Sequence, residues 1–119
     1  MYIYALLEPP QIIEKPEVIN VTIGDPVSFD CKVTGTPELK VKWTKDGREL
    51  VPSRQHILSF VNNISSLKIQ SAQKEDKGHY IFAVANHINV CTCKVELVVV
   101  GQYFDNFFVR FYTFEILIY

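Results

Sequence analysis

The sequence predicts an all-β fold made of two packed sheets, on three observations. Apolar and polar residues alternate with period two in five separate runs, which gives each strand one apolar and one wet face. Turn-forming residues fall between these runs at short spacing, as in a β-sandwich. No window sustains a helical apolar period, so the helices that a βαβ fold requires are missing.

In chain order, the first extended segment is divided by Pro16, which suits an edge strand because no ladder donor is lost there. In residues 26–33, Val27, Phe29, Cys31 and Val33 share one face, and Ser28, Asp30 and Lys32 take the other. In residues 38–45, Leu39, Val41 and Trp43 point inward between Lys40, Lys42 and Thr44. Leu67 and Ile69 flank Lys68 in the next run. Tyr80, Phe82 and Val84 align in residues 78–86. Cys91, Cys93, Val95, Leu97 and Val99 align against Thr92, Lys94 and Glu96. Gly24-Asp25-Pro26, Gly35-Thr36-Pro37, Asp46-Gly47, Asn62-Asn63 and residues 86–89 separate the runs with residues that tolerate positive φ or fix a bend. Asp46-Gly47 is the strongest hairpin signal of the set.

The chain has 119 residues, one domain's worth. At that length a single core forms without a metal or disulfide staple. The formal net charge is -1, which gives no footing for nucleic acid. The opening MYIYALL has no basic segment and too short an apolar run for a signal peptide. No stretch approaches the length of charge-poor sequence that crosses a membrane. Three cysteines, an odd number, cannot complete a disulfide framework.

Composition changes twice along the chain. Residues 1–7 are apolar and aromatic, 8–100 are mixed, and 101–119 hold more than half of the Phe, Tyr and Trp residues. The middle block is expected to be the domain and the flanks appendages, the tail lying outside it. Both ends are expected to be translated flanking sequence attached to one domain-encoding segment, the alternative being a real tail that docks on the domain or on a partner. The tail's Asp105, Arg110 and Glu115 speak against a membrane span.

Cys31, Trp43 twelve residues on, Leu67, and then Asp76-x-Gly78-x-Tyr80 form a constellation that resembles the immunoglobulin (Ig) fold over residues 8–100. The resemblance implies a sandwich with Greek-key connections, with Trp43 filling the space between the sheets. Tyr80 would form a tyrosine corner, its hydroxyl bonding to upstream backbone. Gly78 would permit the tight approach to that strand, and Asp76 would bond the turn's amides. The divided first strand and Ile23-Gly24-Asp25-Pro26-Val27 are similar to the intermediate, or I-set, class. WTKDGREL and KEDKGHYIFAVAN are similar to the Ig modules of titin-like sarcomeric proteins.

In secreted Ig domains, a cysteine two residues after the corner tyrosine bonds to the one matched by Cys31. Here that position is Phe82. A disulfide across this span contributes about 4 kcal/mol by loop entropy, against roughly 1.5–3 kcal/mol for a buried phenyl ring. In a reducing cytosol the bond would not persist. The expectation is therefore a cytoplasmic module with no disulfide, Cys31 acting as a small buried apolar side chain. Asn20-Val21-Thr22 and Asn63-Ile64-Ser65 fit the glycosylation pattern, but such triplets arise by chance and mean nothing in the cytosol.

Cys91 and Cys93 share a strand face with His87 in the preceding turn, yet no second ligand pair at zinc-like spacing exists. Both cysteines are expected to pack inward. A Cys31–Cys93 bond under oxidation would require Cα atoms within about 7 Å. His56 and His79 are expected at the surface. Lys40, Lys42, Lys45 and Arg48 form a basic patch, read as a solvated face, with a docking edge for an acidic partner as the alternative. No nucleophile elbow, glycine-rich phosphate loop or carboxylate pair appears, so no catalytic residue, metal ligand, cofactor or small-molecule substrate is assigned.

The resemblance implies a structural and interaction module. It would be one link among neighbouring Ig or fibronectin-type modules and sarcomeric proteins. Residues 18–23 are expected to pair in parallel with residues 93–100, so that stretch loads those bonds in shear. The alternative is an extracellular adhesion or receptor domain, and a third reading attaches the module to a giant muscle kinase.

Overall fold

The computed structural model describes residues 7–101, and the expectations for residues 1–6 and 102–119 lie outside it. Nine strands form in the order β1 (Gln11–Glu14), β2 (Val18–Thr22), β3 (Val27–Thr34), β4 (Lys40–Lys45), β5 (Arg48–Glu49), β6 (His56–Val61), β7 (Ile64–Ile69), β8 (Gly78–Ala85) and β9 (Val90–Val100). One sheet has the order β1-β3-β7-β6 and the other β2-β9-β8-β4-β5. All pairings are antiparallel except β2 with β9, which is parallel. The chain changes sheets between β1 and β2, at Lys15-Pro16-Glu17.

The alternation in the sequence becomes the two inner faces. β3 alternates buried and exposed along Val27–Thr34. Phe29, Cys31, Trp43, Leu67, Tyr80, Phe82, Val84, Val95 and Leu97 all lie in the core at 2% exposure or less. Leu39 and Val41 face the core as expected but are only partly buried, as are Cys91 and Cys93. Full burial of each large side chain is worth roughly 1.5–3 kcal/mol, which is what holds the sheets face to face.

Turn chemistry sets the hairpins. Asp46 and Gly47 both take positive φ (53° and 79°) between β4 and β5. Asn62 and Asn63 do the same (53° and 62°) between β6 and β7. Two successive left-handed residues match the twist of the flanking strands.

Three elements were not anticipated from sequence. β6 has Leu58 and Phe60 half-buried but Ile57 and Val61 exposed, so apolar residues on both faces hide its alternation. β5 has only two residues, too few to show a period. A 3-10 turn at Lys74–Asp76 buries none of its residues, so no apolar stripe marks it.

Candidate functional site

The structure assembles the predicted residues into one inter-sheet plug. Trp43 and Phe82 are cross-strand partners on β4 and β8, with ring centroids 4.8 Å apart and planes tilted by 43°. Phe29 from the other sheet packs edge-on to Tyr80 at 4.9 Å and lies 5.9 Å from Trp43. Leu67 is fully buried on β7, opposite Phe29 in register. Phe82 thus lies beside Trp43 on the inner face of its own sheet, with no exposed surface.

Ser65 was missed in the sequence. Its hydroxyl accepts a 3.0 Å bond from the Trp43 indole Nε1–H, and it is the buried polar residue of the core. An indole N–H taken from water must find such a partner. The signal was available, because Ser65 falls on the inward phase with Leu67 and Ile69.

The corner below the plug follows the expected chemistry. The Tyr80 hydroxyl donates to the Asp76 carbonyl at 2.5 Å. The Asp76 carboxylate accepts from the Gln73 backbone N–H at 2.8 Å and from Gln55 Nε2 at 3.0 Å. Gly78 has φ of 129°, a conformation that L side chains rarely adopt. Burial, with Asp76 and Asp46 nearby, pushes the Tyr80 hydroxyl's pKa above its ordinary range.

Three cysteines are free. Cys31 on β3 and Cys93 on β9 come from opposite sheets, with their thiols near enough for each to shift the other's titration. The neighbouring Cys93 thiol and burial hold Cys31 protonated well above the ordinary thiol range, while the same interaction lowers Cys93. Cys93 is also the register partner of Phe82, so the buried thiol that lacks a partner at position 82 finds one on the neighbouring strand. Cys91 sits two residues along, opposite Val84. Among the described residues no group of three or more His, Cys, Asp or Glu side chains is placed to hold a metal. His79 and His87 are exposed, and His56, expected at the surface, is half-buried at the start of β6.

The basic patch does not hold together. Lys40 and Lys42 point outward from β4, but Lys45 shares the phase of Trp43. Its ammonium turns to the Asp46 carboxylate (3.1 Å) and the Glu75 carbonyl (3.2 Å), 5.7 Å from the Tyr80 ring centre. Lys45 therefore packs at the tyrosine corner and does not share the outer face with Lys40 and Lys42.

A second polar cluster, unforeseen from sequence, ties the chain's incoming segment to the loops at the opposite pole. Asn86 Nδ2 donates to the carbonyls of Glu8 (2.8 Å) and Thr36 (3.1 Å). Its Oδ1 accepts from the Ile88 and Asn89 backbone N–H groups. Glu8 and Thr36 also bond each other, Glu8 N–H to Thr36 Oγ1 and Thr36 N–H to the Glu8 carbonyl. A Cβ on Gly35 would come within 2.9 Å of the Pro10 Cα, so that position requires glycine.

The edge formed by β2 and β9 runs in parallel with Val18 beside Glu96 and Thr22 beside Val100. The pairing begins three residues later on β9 than expected from sequence. Glu96 N–H donates to the Glu17 carbonyl and Ile23 N–H to the Val100 carbonyl. A parallel ladder uses alternate residues of each strand, so Ile19 and Val21 are the bonding residues between those two ends.

The Immunoglobulin I-set domain family matches residues 10–99. Human palladin is 33% identical over 98 residues, covering 81% of this chain and 7% of palladin. The muscle M-line assembly protein unc-89 of Caenorhabditis elegans is 32% identical over 91 residues, 76% of this chain and 1% of that protein. The chain thus spans less than a tenth of the length of these relatives. Titin domains z1z2, solved in complex with telethonin, superpose with a TM-score of 0.76 at 31% identity, over 81% of this chain and 49% of theirs. On the family match and the geometry of plug, corner and parallel edge, the chain belongs to the immunoglobulin I-set family and is a relative of the Ig modules of sarcomeric proteins.

Proposed function

We propose that this module is a non-catalytic mechanical link and protein-binding spacer within a larger cytoplasmic protein of the sarcomere. The observation that carries this reading is the parallel β2–β9 edge. β2 is left at its Val18 end by the chain going toward the N-terminus, and β9 is left at its Val100 end by the chain going toward the C-terminus. Tension between the two directions pulls the paired strands past each other. All the ladder bonds then resist together rather than opening one at a time. Membership of a family represented in muscle proteins supports the setting. The z1z2 domains of titin are seen with telethonin, which supports proteins and neighbouring Ig or fibronectin-type modules as partners.

Single-molecule stretching of the module between marker domains tests this. Val21→Pro deletes a bonding N–H from the ladder and is expected to lower the unfolding force. Asn20→Pro, at a residue whose N–H faces away from β9 by the same alternation, is expected to lower it less. Equal forces for wild type and Val21→Pro would reject this route for the load.

A further inference from the structure

The outer face of the five-stranded sheet carries a charged groove that neither the core nor the parallel edge uses. Cross-strand register places Ala83 between Lys42 and Thr92, and Ala85 between Lys40 and Val90. Side chains that end at Cβ let the face sink along β8. The result is a depression of ≈ 320 Å³ with Lys40 and Lys42 on one wall, Val90 on the other and Glu49 at the rim. It shares Lys40 and Ala85 with a second depression of ≈ 450 Å³, whose lining includes Glu38, Asn86 and His87.

Lys40 and Lys42 are successive outward positions of β4, and Glu38, exposed like them, lies two residues before the strand begins. Glu49 on β5 lies beside Thr44, the next outward position. The wall therefore carries two cations one strand repeat of roughly 7 Å apart, with Glu38 before them in the chain and Glu49 one strand to the side of the next outward position. Lys40 and Lys42 are exposed and form no ion pair among the described residues. The outer face of the other sheet has no such row, since Lys32 pairs in register with Glu14 there and Asp30 accepts from Ser28 and Ser66.

We propose that this groove receives an extended segment of a partner protein with the complementary row, Lys-x-Glu-x-Glu-x-Lys. An extended chain repeats its side chains at the same spacing as β4. Two carboxylates thus meet Lys40 and Lys42 while flanking cations meet Glu38 and Glu49. The alanine floor lets the segment's backbone lie close to the sheet. The two glutamates set specificity, because a uniformly acidic polymer meets like charge at both ends of the row.

The test is titration of the isotope-labelled protein with the peptide Thr-Lys-Val-Glu-Thr-Glu-Val-Lys-Thr, read by amide shifts and by anisotropy of a labelled copy. Shifts confined to β4, β8 and the start of β9 are expected, with affinity that falls as salt rises. Lys40→Glu and Lys42→Glu are each expected to weaken binding on the order of 3- to 10-fold. Lys32→Glu and Lys68→Glu, on the far sheet, should leave it unchanged. The decisive arm is the fully reversed variant Glu38→Lys/Lys40→Glu/Lys42→Glu/Glu49→Lys with the charge-swapped peptide Thr-Glu-Val-Lys-Thr-Lys-Val-Glu-Thr, where binding should return. No shifts at about 1 mM peptide, equal binding of a scrambled peptide, or failure of the swapped pair would overturn the proposal. So would equally strong binding to vesicles of phosphatidylcholine and phosphatidylserine, which would make the face a general anion surface.

Discussion

Phe82 packs tilted against Trp43 at 4.8 Å directly across the β4–β8 ladder, in the slot where secreted relatives of this fold are expected to carry half of a disulfide. The ring makes a lateral contact within its own sheet as well as filling the gap between sheets. Cys31 is left beside the Cys93 thiol. One substitution thus moves the inter-sheet connection from a covalent bond to aromatic packing plus a thiol pair one strand over.

Phe82→Ala is expected to cost about 3–5 kcal/mol, the range for removing a fully buried aromatic ring. Urea denaturation should show a lower midpoint with an unchanged slope. Loss below about 1 kcal/mol would show that the slot collapses without the ring and that the plug is not what keeps the sheets apart.

The tyrosine corner predicts a pH dependence. Tyr80 is held protonated above its ordinary range by burial and by Asp76 and Asp46. Its folded pKa lies above the unfolded value of about 10. The unfolded chain therefore releases the proton first, and stability falls as pH rises past about 10. Cys31, shifted the same way, begins to contribute nearer pH 8.5, and the lowered Cys93 acts in the opposite sense. In a Cys31→Ala/Cys93→Ala background the limb beyond pH 10 should remain and Tyr80→Phe should flatten it. Tyr80→Phe should also cost roughly 0.5–1.5 kcal/mol at pH 7 through the lost bond to the Asp76 carbonyl.

The parts of this molecule that were legible in its sequence are those written in one short window. Period-two alternation located β3, β4, β7, β8 and β9, because each strand buries a single face. Cys31, Trp43, Leu67, Tyr80 and Phe82 all reached the core. What escaped depends on contacts distant in the chain. Ser65 meets Trp43 across 22 positions, and Asn86 meets Glu8 across 78, so neither shows in a local pattern. Lys45 was misplaced with Lys40 and Lys42 because charge alone was counted. Its odd phase with Trp43 would have separated it.

The Asn86 cluster predicts a local rather than a global defect. Asn86→Ala removes both donors to Glu8 and Thr36 and both acceptor contacts of the β8–β9 turn. A loss of about 1–2 kcal/mol is expected. Amide exchange should accelerate at Glu8, Thr36, Ile88 and Asn89 while the β3 and β8 amides keep their protection. Gly35→Ala should disturb the same pole, since its Cβ would meet the Pro10 Cα and its φ of 142° is unfavourable for alanine. Uniform acceleration across the core would show that the cluster is part of the global folding unit instead.

The opposed thiols predict a response to oxidation. Cys93 is the more exposed of the two and the one whose pKa is lowered, so it is the sulfur that attacks first. With oxidised glutathione, the Cys93 thiolate would form a mixed disulfide and release one reduced glutathione. Cys31 would then displace the second, losing its proton as the Cys31–Cys93 bond forms. The product joins β3 to β9 across the sandwich, in place of the β3–β8 bond that Phe82 forbids. By loop entropy it should add about 4 kcal/mol to stability. In stretching experiments the chain between residues 31 and 93 should no longer extend, giving a shorter contour increment that reductant restores. The chain as folded has three free thiols, so non-reducing peptide mapping before and after treatment provides the reading. A 31–93 peptide pair only after oxidation is the expected outcome. A product through Cys91 in its place would show that burial of Cys31 outweighs its nearness to Cys93.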